Sequence, residues 1–297
     1  EIMHLFYLLL FLLMSPLFSQ DDLLDLFEED LEKFEYVESS FKGTRVVNAQ
    51  SLEIPKPKIL QFMIQHRFGS IENGFYDLFG MDYATIRFDF HYGLTDRISF
   101  GIGRSSLDKI YDVFLKSKLI RQSSGAKSFP FSVLLYSDIG IDTKRKSETN
   151  VAVKDNFSNR LLYVNQLIIG RKFSRKVSIQ ILPTLIHRNL VPTNNDDHDL
   201  SSMGIAGRYK LSNRLSINGD YFIPIGDRNK NYKNSVAIGV DYETGGHVFQ
   251  IMLANSQGPY EYTFIENAKG DLSSGILYLG FNISRSFTLK GEDEGSW

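Results

Sequence analysis

The chain has 297 residues, with 42% hydrophobic and 23% charged residues, fractions that exclude a collagen-like or largely disordered protein. Its net charge of −2 leaves no basic footprint for nucleic acid, so no nucleic-acid partner is expected. Because cysteine is absent, disulfides, Cys-ligated metal sites, thiol nucleophiles and lipoprotein anchors are excluded.

The first segment of the chain is apolar and short. Residues 5–13 form an unbroken apolar run, followed by the small Ser19 and by Gln20. A run of about ten apolar residues is too short to cross a bilayer and is typical of a signal-peptide core. The sequence therefore predicts a signal peptide over residues 1–19 and export of the protein. No later run of about 18 apolar residues follows, which excludes a helical membrane protein.

Residues 20–58 are predicted to form a periplasmic N-terminal segment. Within it, residues 21–34 combine many acidic residues with apolar ones at three- and four-residue steps, the period of a short amphipathic helix. This helix is either a docking element for a periplasmic partner or a solvated spacer. Residues 43–53 are expected to lie against the periplasmic mouth of the following domain or to enter it, because Lys42 and Arg45 face a region with acidic residues.

From Ile59 onward, polar and apolar residues alternate with the period of two that is typical of β-strands. Ile86, Phe88 and Phe90, for example, alternate with Arg87 and Asp89. Twelve such segments precede residue 290, although the parity of residues 161–171 is unclear. An all-β fold is predicted: a closed antiparallel transmembrane β-barrel of about 12 strands over residues 59–290, followed by a periplasmic tail at 291–297.

One face of the predicted strands carries almost no charge. Its single charged residue, Arg285, lies near a strand end, where a charge costs about 0–1 kcal/mol instead of about 2–4 kcal/mol at the bilayer midplane. This face is expected to contact outer-membrane lipid. The opposite face is expected to line the lumen and to form at least one cross-strand charge pair. Its candidate site residues are Arg67, Arg87, Asp89, Asp112, Lys116, Asp138, Arg208, Asp220 and Asp241.

The connections between strands alternate in length. Short turns such as residues 93–97 and 212–214 alternate with long loops such as residues 142–160 and 256–273. Outer-membrane barrels have short periplasmic turns and long extracellular loops. The pattern therefore predicts an outer-membrane location with both termini in the periplasm.

Four motifs give the sequence a more specific likeness. They are FKGTRVVN at residues 41–48, QHRFG at 65–69, YGLTDR at 92–97 and GIGRSS at 101–106. In this order they resemble a family of uncharacterised outer-membrane β-barrels from the Bacteroidota, over roughly residues 21–290. The resemblance implies the barrel and its location, but no substrate and no catalytic residue. Phe287 is the candidate for the terminal aromatic residue that barrel-assembly machinery recognises.

The residues offer little support for catalysis, metal binding or a cofactor. A lipase on a barrel needs a serine close to a histidine on the lipid face, and His187 has no serine within two positions. Residues 194–199 offer oxygen ligands but match no calcium-loop template, so a solvated acidic loop is favoured. We therefore expect no enzymatic activity, no metal and no cofactor.

Two functions fit the predicted lumen. One is a narrow channel whose charges select small hydrophilic solutes. The other is a plugged structural or docking barrel, in which the charges pair across the lumen and partners bind the loops or the acidic N-terminal segment. Eight-stranded barrels fill with side chains and sixteen-stranded barrels leave a wide channel, so twelve strands lie between the two. The sequence slightly favours the channel.

Overall fold

The structure, a computed structural model, describes residues 34–125, 128–145, 156–191, 197–226 and 232–289. The predicted signal peptide, the acidic stretch before residue 34, the tail at 291–297 and part of the acidic loop at 194–199 lie outside the described residues. Twelve antiparallel strands form a closed barrel, which confirms the predicted fold. No described helix is long and apolar enough to span a membrane.

Fourteen strands are described, and all but the two-residue β1 and β6 belong to the barrel. β1 and β6 pair with each other. The barrel closes where β2 pairs with β14, with Ile59 opposite Thr288. In chain order the strands are β1 (Glu35–Tyr36), β2 (Ile59–Ser70), β3 (Ala84–Gly93), β4 (Ile98–Ser105), β5 (Ile110–Ile120), β6 (Ser123–Ser124), β7 (Ser132–Asp142), β8 (Leu161–Lys172), β9 (Val177–Arg188), β10 (Asp199–Lys210), β11 (Leu215–Ile225), β12 (Ser235–Thr244), β13 (His247–Ala254) and β14 (Tyr278–Thr288).

The alternation of the sequence reappears as two faces of the sheet. On β3, Phe88 and Phe90 are exposed on the outer surface, whereas Arg87 and Asp89 are buried inside. The ring of Phe62 on β2 packs against that of Phe90, with the ring centroids 4.9 Å apart. Such cross-strand aromatic pairs stabilise a sheet by roughly 0.2–1 kcal/mol each and help to fix its register.

The two ends of the barrel differ in their connections. At the turn end, four short turns join neighbouring strands: residues 94–97, 173–176, 211–214 and 245–246. The loop end carries the longer connections, among them residues 71–83 and 255–277. β2 begins and β14 ends at the turn end, because Ile59 and Thr288 are paired there.

The apolar side chains of the interior wall are concentrated on one side of the barrel. Strands β7–β10 contribute apolar inward side chains such as Leu134, Leu182 and Ile186 alongside a similar number of polar ones, such as Gln180 and Arg208. The remaining strands contribute mostly polar ones. On β8, the inward Leu162 and Val164 are as apolar as the lipid-facing residues, which explains why its parity is unclear in the sequence.

Candidate functional site

The N-terminal segment enters the barrel from the turn end. Residues 41–53, here named the plug, fold into a tight reversal: the Val46 N–H donates to the Ala49 carbonyl at 2.8 Å, and the Ser51 N–H donates to the Thr44 carbonyl at 3.0 Å. Within the plug, Phe41, Val46, Val47, Ala49 and Leu52 are buried. The sequence allowed this segment either to lie at the mouth or to enter the lumen, and the structure places it inside.

One carboxylate of the wall binds the tip of the plug. Asp220 Oδ2 accepts the backbone N–H groups of Val47, Asn48 and Ala49 at 3.2, 2.8 and 3.0 Å. Consecutive N–H groups that converge in this way form a concave anion site. Buried carboxylates need such donors, since burial without hydrogen bonds is costly.

One ammonium group binds both sides of the reversal. Lys116 Nζ donates to the carbonyls of Thr44, Ser51 and Glu53 at 2.8, 3.2 and 3.4 Å. These contacts use all three donors of the buried ammonium group. Both residues therefore bind main-chain groups of the plug: Lys116 binds its carbonyl groups, and Asp220 binds its N–H groups.

Neutral wall residues bind the plug in the same way. Gln250 Nε2 donates to the Val46 carbonyl at 2.6 Å, and Gln180 Nε2 donates to the Gln50 carbonyl at 2.6 Å. Asn282 Nδ2 donates to the Val47 carbonyl at 3.1 Å. Donors from β9, β13 and β14 thus surround the reversal on several sides.

A second segment enters the lumen from the loop end. Residues 255–270, here named the inner loop, contain a π-helical turn at Tyr262–Glu266. Its Tyr260 hydroxyl donates to Asp138, and the ring of Phe264 packs edge-on against Phe222 with the centroids 5.4 Å apart. Glu266 pairs with Arg188 at 2.8 Å. The inner loop is held mainly by its side chains.

The plug and the inner loop meet at one buried carboxylate. Glu261 Oε1 accepts from Arg45 Nη1 at 2.9 Å and from Gln50 Nε2 at 2.8 Å. Burial by itself lowers the pKa of the Arg45 guanidinium, but the adjacent Glu261 carboxylate holds that pKa above its ordinary value. This contact joins two segments that come from opposite ends of the barrel.

All nine charged residues singled out from the sequence are buried in the barrel interior. Arg87 forms a bidentate pair with Asp112 across the intervening strand β4, and Asp89 lies 3.8 Å from Arg87. Gly103 of β4 leaves the room for this pair, since a Cβ at that position would lie 2.2 Å from Arg87 Nη2. These three charged residues therefore form a cluster within the wall.

The other charged residues mostly contact the inserted segments. Arg67 Nη2 donates to Asn48 Oδ1 at 2.9 Å, and Arg208 Nη2 donates to the Ser39 carbonyl at 3.2 Å. Asp138 accepts from the Tyr260 hydroxyl, and Asp241 accepts from Gln250, which itself binds the plug. Arg67, Lys116, Asp138 and Asp220 thus attach the plug or the inner loop directly, whereas Arg208 contacts Ser39, which precedes the plug.

Sequence reasoning missed the inner loop and its Glu261. The signal available was composition: residues 260–265 read YEYTFI, which is unusually aromatic for a loop. Within the described residues, no group of three or more His, Asp or Glu side chains could hold a metal ion.

The solved structures that match this chain include two porins and an outer membrane channel, each at low sequence identity. A NanC porin matches at 10% identity with a TM-score of 0.48, covering 77% of this chain and 100% of the porin. A KdgM porin matches at 8% identity and 0.47, covering 76% and 99%. An outer membrane channel from Pseudomonas putida F1 matches at 13% identity and 0.40, covering 79% and 97%.

The family assignment rests on the sequence. No curated protein matches the chain. The model of the membrane bound beta barrel domain (DUF5777) matches residues 41–287, which include the plug, the inner loop and all of the barrel strands except the last residue of β14. The chain belongs to this family of membrane-bound β-barrels.

Proposed function

We propose that this protein is an outer-membrane channel for small hydrophilic solutes and that its own plug holds it closed at rest. The observation that carries the proposal is that the barrel closes without the plug. Twelve strands complete the ring of hydrogen-bonded ladders, and the bridge within the plug, Arg45 to Gln50, pairs the plug with itself. Removing the plug therefore leaves every ladder of the barrel intact.

The route of the chain also supports a removable plug. Lys42 contacts Glu243 and the Asn213 carbonyl at the turn end, where the chain enters. The chain leaves by the same mouth, where the Lys58 N–H donates to the Gly93 carbonyl at 3.0 Å. Because both ends of the plug lie at one mouth, withdrawal needs no threading of the chain through the barrel.

The wall behind the plug suits a water-filled passage. Many of its contacts with the plug are hydrogen bonds that water can replace, at a net free energy of about 0.5–1.5 kcal/mol for a neutral bond and about 1.5–3 kcal/mol for a bond to a charged group such as Asp220 or Lys116. Once exposed, Lys116, Asp220 and the cluster around Arg87 would present charges of both signs to a solute.

The orientation follows from the connections. Short turns are expected in the periplasm and long loops outside, so the plug would enter from the periplasm and the inner loop from the cell exterior. Both termini would then lie in the periplasm.

A permanently plugged structural or docking barrel is the second candidate. It is favoured by the apolar contacts of the plug, since Phe41, Val47 and Leu52 are buried in the hydrophobic cluster of the interior. Such packing would make withdrawal of the plug costly.

Single-channel conductance in a planar bilayer separates the two candidates. The full chain is compared with a variant that lacks residues 34–53, which removes both the main-chain groups and the side chains of the plug. We expect almost no current from the full chain and regular conductance steps from the variant. Heat-modifiable electrophoretic mobility shows that the variant is folded. A folded variant that carries no current would favour the docking barrel.

A further inference from the structure

An open groove of about 570 Å³ lies on the outer surface of the barrel, over strands β9–β12. At its floor Gly207 of β10 is paired with Gly219 of β11. A Cβ at either position would lie no closer than 3.5 Å to another residue, so the space above the pair is open. The outward side chains that line the groove are apolar or aromatic, among them Ile179, Ile205, Tyr209, Ile217, Tyr221 and Ile238. The groove therefore opens toward membrane lipid.

The groove reaches a basic region at the turn end. Val177 and Tyr209 line the groove and are next to Lys176 and Lys210 in the chain. The Lys210 N–H donates to the Lys176 carbonyl at 2.8 Å, so the two turns that follow β8 and β10 lie side by side. The basic residues of this region are Arg171, Lys172, Arg175, Lys176, Lys210 and Arg214.

No acidic residue interrupts this basic region along its own strands. Residues 161–195 and 200–219 contain no Asp or Glu. Glu243 lies beside the second turn, where its N–H donates to the Arg214 carbonyl at 2.9 Å, but its carboxylate is paired with Lys42. The region therefore favours an anionic occupant.

Arg171 brings one of these charges to the lipid-facing surface. The odd-numbered positions of β8 point outward, because the even-numbered Leu162 and Val164 are buried in the interior. Arg171 is directly opposite Ile179, which lines the groove, and its guanidinium lies over the ring of Phe173, 5.2 Å from the centroid. A charge on this surface is unfavourable in hydrocarbon but is tolerated near the membrane interface. The planar guanidinium matches the geometry of a phosphate group.

We propose that the groove and the basic region beside it bind one anionic phospholipid. An acyl chain lies in the groove, and the phosphate of the headgroup binds Arg171 and the basic turns, since basic residues at a membrane surface attract anionic lipids. Tyr209, which is exposed at the same end of the groove, suits the level of the headgroups, where tyrosine is enriched. The site uses only the outer surface of the barrel, so it is independent of whether the barrel conducts.

A second copy of this chain is the competing occupant of the groove. In a two-fold dimer each subunit presents the same surface patch to the other. The basic region of one copy would then lie against the basic region of its partner, and like charges repel. The charge of the region therefore favours the lipid.

Native mass spectrometry of the delipidated full chain in detergent micelles tests the headgroup. The protein is titrated with phosphatidylglycerol, which is anionic, or with zwitterionic phosphatidylcholine of the same acyl chains. We expect one phosphatidylglycerol per chain, bound at least tenfold more tightly than phosphatidylcholine. Arg171→Gln combined with Lys176→Gln should remove most of this preference. Equal affinity of the unaltered chain for the two lipids would overturn the proposal.

Arg285 provides the matched control for the charge. Like Arg171, it faces outward near the turn end and lies over an aromatic ring, that of Phe287 at 4.8 Å, but it belongs to β14 and does not line the groove. Arg285→Gln should leave the preference for phosphatidylglycerol unchanged. Equal losses in Arg285→Gln and Arg171→Gln would show a diffuse electrostatic attraction and would overturn the assigned site.

Gly207→Leu tests the groove itself. It fills the open space without a close contact at Cβ and should weaken binding of phosphatidylglycerol at least tenfold. The control is Ala84→Leu, which adds a similar apolar side chain at an exposed position of β3 outside the groove. Heat-modifiable electrophoretic mobility shows that both variants are folded. Unchanged binding in folded Gly207→Leu would overturn the place of the acyl chain. A lipid-free dimer that Gly207→Leu dissociates would overturn the lipid in favour of a second copy.

Discussion

The plug and the inner loop fill the same lumen but are held in different ways. The plug is bound mainly through its main chain, by wall groups such as Asp220 and Lys116. The inner loop is bound mainly through its side chains, as in the contacts of Phe264 with Phe222 and of Glu266 with Arg188. Substitutions in the barrel wall should therefore affect the position of the plug most, whereas substitutions in the inner loop itself should affect the position of the inner loop most.

This difference suits the two segments to different tasks. Hydrogen bonds to water can replace main-chain contacts, so a segment held by them can leave at modest cost. Loss of buried aromatic packing has no comparable replacement in water. We therefore expect the main-chain contacts of the plug to exchange with water at a lower cost than the aromatic packing of the inner loop, whereas the buried Phe41, Val47 and Leu52 of the plug oppose its release.

The largest expected effect is at Glu261, where the two segments meet. Arg45→Met or Glu261→Met alone leaves a buried charge without its partner and should lower the free energy of unfolding by about 3–5 kcal/mol. The double variant removes both charges and should cost much less than the sum. Urea unfolding in detergent micelles measures all three. Single-variant losses below about 1 kcal/mol would show that this contact is solvated and does not couple the segments.

Asp220→Ala should release the plug and leave the inner loop in place. It removes the acceptor of three plug N–H groups, and a hydrogen bond to a charged group contributes about 1.5–3 kcal/mol. Trypsin cleavage after Arg45 should rise about tenfold or more, while Glu-C cleavage after Glu266 stays unchanged. Asp220→Asn keeps an acceptor oxygen and should have a smaller effect. Equal increases at both cleavage sites would mean that the two segments move as one unit.

The smallest effect is expected at Lys42, which contacts Glu243 where the plug enters the turn end of the barrel. Lys42 pairs with Glu243, whose side chain is 39% exposed, and exposed pairs contribute about 0–1 kcal/mol. Lys42→Met should therefore change trypsin cleavage after Arg45 by no more than about fivefold. Lys116→Met, which removes a buried ammonium group from three carbonyls, serves as the matched comparison and should have the larger effect. A similar response of both variants would contradict the expectation that the buried contacts of Lys116 hold the plug more strongly than the partly exposed contact of Lys42.

The barrel could be predicted because every strand that contacts lipid on one face must carry apolar residues at alternate positions. Period-two alternation assigns Arg87 and Asp89 to one face and Phe88 to the other, whatever the lumen contains. On β8 the alternation does not distinguish the two faces, because the inward Leu162 and Val164 are also apolar.

The contacts inside the barrel were harder to predict. Asp220 binds backbone N–H groups, which every residue except proline possesses, so no residue type in the plug marks it as the partner. The pairing of Arg45 with Glu261 joins residues 216 positions apart and depends on both segments entering the lumen. Composition could at least have distinguished the inner loop, through the aromatic residues Tyr260, Tyr262 and Phe264.

The linker between the plug and β2 is short, and its length determines how strongly the plug would compete with a solute for the lumen. Residues 54–58 connect the plug directly to the first barrel strand, so a plug that has left the lumen stays close to its mouth. A short tether gives such a segment an effective concentration in the millimolar range. Under the proposed function, the plug would act as a covalently attached competitor of a solute for the lumen, and it would reclose at a rate independent of protein concentration. Lengthening the linker would dilute this competitor, roughly with the −3/2 power of linker length once the tether is slack, without altering a single contact of the closed state.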